Sequence, residues 1–209
     1  MKNSILAVIV GALLVGCGGA DTAETKSLAN EQALKAAAPT GATGSTTCNT
    51  GDGWWNGPNP IPNNLVVPAG ATCRLGWVEV IGNTTVNGSL YTIGSTFDGN
   101  VSVSGTGSAL TTANWGNTFR RNLSITGSDG NGWINGFWSS YSDNVVDGNF
   151  SYIGNTAPFY VQNDWVVNEY NPDGYQCKSV VKGNLNVSAS PCGAFGNLTV
   201  QGSTNISCY

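Results

Sequence analysis

Phe97-Asp98-Gly99-Asn100-Val101-Ser102-Val103 reads as one unit: an apolar residue, a polar one, Gly, Asn, then an apolar-polar-apolar triplet. The unit recurs along the chain. It appears first as Val80-Ile81-Gly82-Asn83-Thr84-Thr85-Val86, with Ile in the polar slot and Thr opening the triplet. It returns as Phe119-Arg120-Arg121-Asn122-Leu123-Ser124-Ile125 and Val146-Asp147-Gly148-Asn149-Phe150-Ser151-Tyr152. Two further copies are Val181-Lys182-Gly183-Asn184-Leu185-Asn186-Val187 and Ala194-Phe195-Gly196-Asn197-Leu198-Thr199-Val200, and Asn64-Leu65-Val66-Val67 is a degenerate forerunner. Alternation of period two marks each triplet as a strand. Val101, Val103, Leu123, Ile125, Leu185, Val187, Leu198 and Val200 are expected to face inward. Thr85, Ser102, Ser124, Ser151, Asn186 and Thr199 are expected to face outward. A unit this short cannot bury its own apolar face, so it must stack on its neighbours, and the fold expected is a solenoid.

The Gly-Asn step before each strand reads as a corner. Gly accepts positive φ, and Asn tolerates the left-handed region while bonding to nearby backbone. Stacking would place Asn83, Asn100, Asn122, Asn149, Asn184 and Asn197 in a ladder, each bridging to the next turn. Successive intervals between these Asn residues, counted from Asn64, are 19, 17, 22, 27, 35 and 13. The short intervals approximate bare coils, and the long ones carry insertions, the largest spanning Ala157 to Gln176. A propeller would keep a steadier period of about 40 residues. A sandwich would not repeat its sequence.

Composition agrees. Among 209 residues only 10% are charged, with 29 Gly, a balance that suits short strands and tight turns rather than helices. The chain has no His, which removes His general-base chemistry, serine-type triads and most zinc sites. Net charge is −4, and no basic cluster exists beyond Arg120-Arg121, so nucleic acid is not an expected partner. Neither a cofactor nor a metal is expected.

The N-terminus reads as a leader. Lys2 supplies a positive start, and the apolar run Ile5 to Val15 is too short to span a bilayer. The run ends in Leu14-Val15-Gly16-Cys17, which resembles the lipobox of bacterial lipoproteins. That resemblance implies a signal peptide over residues 1–16, cleavage before Cys17 and lipidation of Cys17. Gly18 stands where the family's inner-membrane retention signal would be Asp, so the implied address is the outer membrane. Residues 17–47, Ala-rich and then rich in Pro, Gly, Ser and Thr, read as a flexible tether. Residues 48–209 read as the folded domain.

Export implies an oxidising compartment, and disulfides are expected. Cys48 and Cys73 bracket the start of the repeats and are expected to pair. Cys192 could pair with either Cys177 or Cys208, since both spacings approximate one coil, and one thiol is left over. The Cys48–Cys73 region and Cys208-Tyr209 are expected to cap the two ends, leaving a monomer.

The Gly-Asn-(Leu/Val)-x-Val string, with Val67-Pro68-Ala69-Gly70-Ala71-Thr72-Cys73 near its start, resembles secreted bacterial right-handed parallel β-helix proteins, the solenoid of the pectate lyases. The resemblance covers about residues 60–208. It implies an all-β, single-stranded right-handed parallel β-helix with loop insertions in the middle coils. It also implies one functional alternative, a polysaccharide lyase, for which Arg120, Arg121 and Lys182 are the candidate basic residues. Asp98, Arg120, Asp147 and Lys182 share one slot of the repeat and are expected to form a mixed-sign column along one edge.

Aromatic residues are the remaining candidates. Trp133, Trp138, Tyr141, Tyr160, Trp165 and Tyr170 crowd into the middle of the chain, where exposed rings would stack on sugar faces. Trp54-Trp55 are expected to close the open end of the helix. The function expected is that of a non-catalytic surface lipoprotein, membrane-bound through its lipid. It would present a β-helix for adhesion, envelope interaction or binding of polysaccharide.

Overall fold

A computed structural model describes residues 43–130, 135–168, 171–191, 193, 195 and 198–209. The lipidation candidate Cys17, the ring candidates Trp133 and Tyr170, Cys192 and Asn197 lie outside the described residues.

The chain winds as an all-β parallel solenoid, a β-helix of about 7 turns. Each winding contributes a strand to each of three sheets in turn. One full turn runs Thr72–Gly76, Glu79–Val80, Thr84–Val86, and the next runs Ser89–Ile93, Thr96–Phe97, Val101–Ser104. The three sheets have five, six and eight strands respectively, and every neighbouring pair within them is parallel. Winding on winding, residue stacks on equivalent residue: Leu65, Thr84, Val101, Leu123, Phe150, Leu185 and Thr204 form one column of the eight-stranded sheet.

Alternation puts Val101, Val103, Leu123, Ile125, Leu185 and Val187 in the buried core, with Ser102, Ser124 and Ser151 turned outward. The bore is more aromatic than the Val, Leu and Ile triplets suggest. Phe97 stacks on Phe119 with centroids 5.1 Å apart, Phe119 meets Phe137 at 5.9 Å, and Phe159 stacks on Phe195 at 5.6 Å. Tyr152 joins this column. Its hydroxyl donates to the carbonyl of Ala157 and accepts from Asn135 Nδ2 at 3.3 Å. Burial pushes this phenol up to about 12, against the lowering effect of the Asn135 bond.

The corner between the six- and eight-stranded sheets carries the amide ladder. Asn64 Oδ1 accepts from the Asn83 N–H at 2.9 Å, Asn83 Oδ1 from Asn100 at 2.9 Å, and Asn100 Oδ1 from Asn122 at 3.3 Å. Asn122 serves Asn149 at 2.9 Å, Asn149 serves Asn184 at 2.8 Å, and Asn184 serves the Ser203 N–H at 2.9 Å. Thus each side-chain oxygen satisfies a main-chain donor one winding away.

Four readings of the sequence are corrected here. The copy at Ala194–Val200 is out of phase. Leu198–Val200 pairs with Ser179–Val181 in the six-stranded sheet, and Asn184 of the ladder serves Ser203. The true last copy is Val200-Gln201-Gly202-Ser203-Thr204-Asn205-Ile206, in which Ser fills the Asn slot. Secondly, the corner Gly and Asn residues do not take positive φ. Gly is needed there because an added Cβ would collide with the backbone of the winding below, 2.4 Å from the Gly82 carbonyl oxygen at Gly99 and 2.5 Å from that of Gly148 at Gly183. Thirdly, Phe159–Asn163 is a regular strand of the five-stranded sheet, so the large insertion shrinks to an antiparallel hairpin of Trp165–Asn168 and Asn171–Gln176. Fourthly, among the described residues the far end is covered only in part, by Cys208 packing on the core. Thr204–Ser207 is exposed throughout and is the last strand of its sheet. Tyr209 folds back to Ser190, leaving Ile206 45% exposed.

The near end is closed. Ser45–Thr47 pairs with Asn64–Val67, Trp55 packs on the core, and the Cys48–Cys73 disulfide joins the first two windings. Cys208 is also disulfide-bonded and Cys177 is buried, while Cys192, the partner weighed for either, lies outside the described residues.

A second, buried ladder runs along the corner between the five- and six-stranded sheets. Asn117 Oδ1 accepts from Ser95 N–H and from Thr92 Oγ1, both at 2.9 Å, and the Asn117 N–H donates to Asn144 Oδ1 at 2.9 Å. It was legible as Ser95-Thr96-Phe97, Asn117-Thr118-Phe119 and Asn144-Val145-Val146, a polar residue two places before each inward residue of the six-stranded sheet. The opposite case is Thr84, whose buried hydroxyl has no partner among the described residues. The two positions should therefore respond with opposite sign in urea unfolding. Asn117→Ala strands two buried donors and should cost about 3 kcal/mol. Thr84→Val removes an unsatisfied hydroxyl at constant shape and should stabilise by about 1 kcal/mol.

Candidate functional site

Two surface features gather polar or aromatic groups, at different corners of the solenoid.

The first follows the exposed side of the amide ladder. Arg120, Arg121, Asp147 and Lys182 line an open trough of about 280 Å³ together with Asn122, Asn149 and Asn184. The candidate bases do converge here, yet all three are engaged. Arg120 Nη1 lies 2.8 Å from Asp98 Oδ1 and 3.8 Å from Glu79, Lys182 Nζ lies 2.8 Å from Asp147 Oδ1, and Arg121 Nε donates to the Asp98 carbonyl at 3.0 Å. The mixed-sign column acts as cross-winding ties. Among the described residues no three His, Cys, Asp or Glu side chains gather as a metal site.

The second feature is a rail of rings at the corner between the five- and six-stranded sheets. Trp77, Trp115 and Tyr141 come from the windings that begin at Thr72, Ala109 and Asn135. Trp77 meets Trp115 at 5.2 Å between centroids with planes 59° apart, and Trp115 stacks on Tyr141 at 4.9 Å with planes 19° apart. These are large side chains left in water: Trp77 is 59% exposed, Trp115 41% and Tyr141 50%. Trp54, 47% exposed, extends the rail toward the near end, edge-on to Tyr91 at 5.8 Å. It does not seal the helix end as the sequence suggested; Trp55 does that.

Glycine makes room for the rail. A Cβ on Gly94 would sit 2.6 Å from the benzo carbons of Trp77, so that indole lies flat on the backbone of the next winding. Gly76 does the same for Trp54, with the nearest ring carbon 3.3 Å from its would-be Cβ. Trp54 and Trp77 thus each lay one face against main chain, whereas Trp115 and Tyr141 lie face to face.

Backbone strain accompanies this. The corner takes positive φ in three successive windings, at Trp77 (59°), Gly94 (58°) and Asn114 (56°). Gly and Asn suit such a position, whereas a bulky aromatic there is an outlier that costs about 1–2 kcal/mol.

The six rings expected from the sequence divide. Tyr141 belongs to the rail. Tyr160 is 44% exposed on the outer face of the five-stranded sheet, and Trp138 is half-buried on the same face. Trp165 opens the hairpin, with its ring outside the described side chains. Trp133 and Tyr170 lie outside the described residues. The residues that sequence reasoning missed are Trp77 and Trp115. Their signal was the corner itself: Trp77, Gly94 and Asn114 occupy one column, each just after a strand of the five-stranded sheet, and Trp115 follows that column by one residue.

Comparison with protein-family models, with curated proteins and with solved structures finds no match to this chain.

Trp77→Asn copies the Asn114 solution. Relief of about 1–2 kcal/mol of strain offsets the loss of about 0.5–1.5 kcal/mol of ring contact. Thermal unfolding should therefore shift by only a few degrees, whereas a ring needed for the fold would register as a drop of several kcal/mol.

Proposed function

We propose that this chain is a non-catalytic, glycan-binding lipoprotein of the bacterial outer membrane. In this reading Cys17 carries the lipid, the tether runs from there to the first strand at Ser45–Thr47, which already belongs to the solenoid, and the β-helix presents its aromatic rail to saccharide. The observation that carries it is the rail itself, where three mutually packed rings stay 41–59% exposed along one edge of an otherwise well-sorted solenoid. Burial of a Trp or Phe-sized side chain is worth roughly 1.5–3 kcal/mol, so leaving several in water is a standing cost that a stacking ligand would recover. Asn114 and Ser142 flank the rings and offer an amide and a hydroxyl proton to sugar hydroxyls, whereas Ser140 Oγ already donates to Asp164 Oδ2 at 2.6 Å.

The lyase alternative has less support. Its candidate bases Arg120 and Lys182 are tied to Asp98 and Asp147, and the trough they line is an extension of the ladder that holds the windings together.

Glycan-array screening and calorimetry on the mature chain test the proposal. Trp115→Ala and Trp77→Asn should each weaken binding about tenfold or more, the worth of one stacking contact of about 1.4 kcal/mol, with far-ultraviolet circular dichroism unchanged. Absence of binding to any glycan, or release of unsaturated products from an acidic polymer, would overturn it.

A further inference from the structure

We propose that the far end of the solenoid docks a second copy of this chain, the two copies joining by antiparallel pairing of Thr204–Ser207 with itself. This strand ends the eight-stranded sheet, and among the described residues nothing pairs with its outer edge. Thr204 and Ile206 continue the inward columns of Leu185 and Val187. Yet Ile206 stays 45% exposed, and Leu198, Val200 and Cys208 on the same end are only partly buried. The last layer of the bore is open to water, at a standing cost that a covering surface would recover.

The two ends of the molecule decide the partner. Edge strands of soluble proteins are blunted by a charge, a proline or a bulge. This edge carries none of them: Lys182 is followed by no charged side chain in residues 183–209, and Thr204–Ser207 holds no proline and pairs in unbroken register. Two such ends meet with no like charges to oppose them and no ion to desolvate. The near end offers no matching surface. Cys48 and Ile61, its outermost bore residues, are fully buried, and Trp55 packs on the core beside them. A head-to-tail stack would set an open bore on a closed one. A twofold contact sets open on open and stops at two copies.

Hydrogen bonding decides the register. The Leu185 N–H donates to the Ser203 carbonyl at 2.9 Å. Alternation then turns the backbone groups of Asn205 toward Leu185–Ser188 and those of Thr204 and Ile206 toward the open edge. In an antiparallel pair, facing residues lie on the same side of the sheet. A twofold axis through Asn205 therefore sets Thr204 of one copy opposite Ile206 of the second copy, and Asn205 opposite Asn205. Thr204 and Ile206 are the residues whose N–H and C=O point outward, so each facing pair exchanges both of its N–H···O bonds. Their inward side chains meet those of the second copy over the two bores. On the outer face, Asn205 Nδ2 already donates to Asn186 Oδ1 at 3.1 Å, and Asn205 of the second copy lengthens that line of amides. The edge is self-complementary in backbone, bore and outer face at once.

Sedimentation velocity on the mature chain, carrying Cys17→Ser so that no lipid drives association, tests the proposal. The contact is small, so monomer should give way to dimer between about 1 and 500 μM and grow no further. Ile206→Pro removes an outward N–H that the solenoid itself does not use. It should weaken the dimer about tenfold or more, with the circular dichroism of the monomer unchanged. Asn205→Cys should give a disulfide-linked dimer under mild oxidation, because facing residues of a non-hydrogen-bonded pair lie about 4.5 Å apart at Cα, within disulfide reach. A chain that stays monomeric throughout that range overturns the proposal. So does a dimer that survives Ile206→Pro undiminished, which would lie elsewhere on the surface. Growth into longer assemblies, with Asn205→Cys failing to cross-link, overturns the twofold arrangement in favour of head-to-tail stacking. None of these outcomes bears on the glycan reading, since the rail lies at another corner of the solenoid.

Discussion

One hydrogen bond, repeated, organises this molecule: the side-chain oxygen of a corner Asn accepting the main-chain N–H of the next winding's corner. A β-helix must turn its backbone sharply where two sheets meet, and a sharp turn strands donors. Satisfying them with the side chain of the neighbouring winding links the turn to the stacking. It also sets the register, because Asn100 can serve Asn122 only if Val101 lies beside Leu123. The inward columns of Val, Leu, Ile and Phe follow from that register, as does the close approach of corner backbones that excludes a Cβ at Gly99 and Gly183. The buried Asn117–Asn144 pair repeats the device at a second corner, where no water can substitute.

Much of this was legible in the chain. A strict period-two triplet after a conserved-looking Gly-Asn step, recurring at short intervals, admits few architectures, and the Cys48–Cys73 bridge was readable from its place at the start of the repeats. The misreadings have physical causes. Leu198-Thr199-Val200 imitates the triplet because the six- and eight-stranded sheets demand the same alternation; only Gly202-Ser203, where Ser replaces Asn, shows the phase. Positive φ was assigned to the Gly-Asn corners because both residues tolerate it, yet the constraint there is a clash between windings, which a local reading does not contain. The rings divided for a similar reason. Phe137 and Phe159 fill a bore whose width is set by three sheets at once, and Trp77 and Trp115 become neighbours only through a winding that bears Gly94 between them.

The result is a molecule with sorted edges. The trough corner gathers Arg120, Lys182, Asp98, Asp147 and Glu79 into mutual ties, which keep that edge soluble and the windings aligned. The rail corner keeps its aromatic surface in water, with Asp143 bonded to the Lys178 N–H beside it. The outer face of the eight-stranded sheet, with Ser102, Ser124, Ser151 and Asn186 in line, is polar and uncharged. Because each winding contributes to all three surfaces, a change of one residue type at one slot alters one edge and leaves the others intact. That separability lets Trp stand at a strained corner without disturbing the amide column on the far side.

The exposed strand Thr204–Ser207 has a consequence for engineering. A barrel closes on itself and fixes its own strand number; a stack does not. The outermost backbone groups of this strand, with Ile206 above the bore, present a template onto which another Gly-Asn winding could be grafted by appending sequence alone. Rise, register and corner chemistry would be inherited from the turn beneath it, so the molecule can serve as a ruler whose length is written residue by residue.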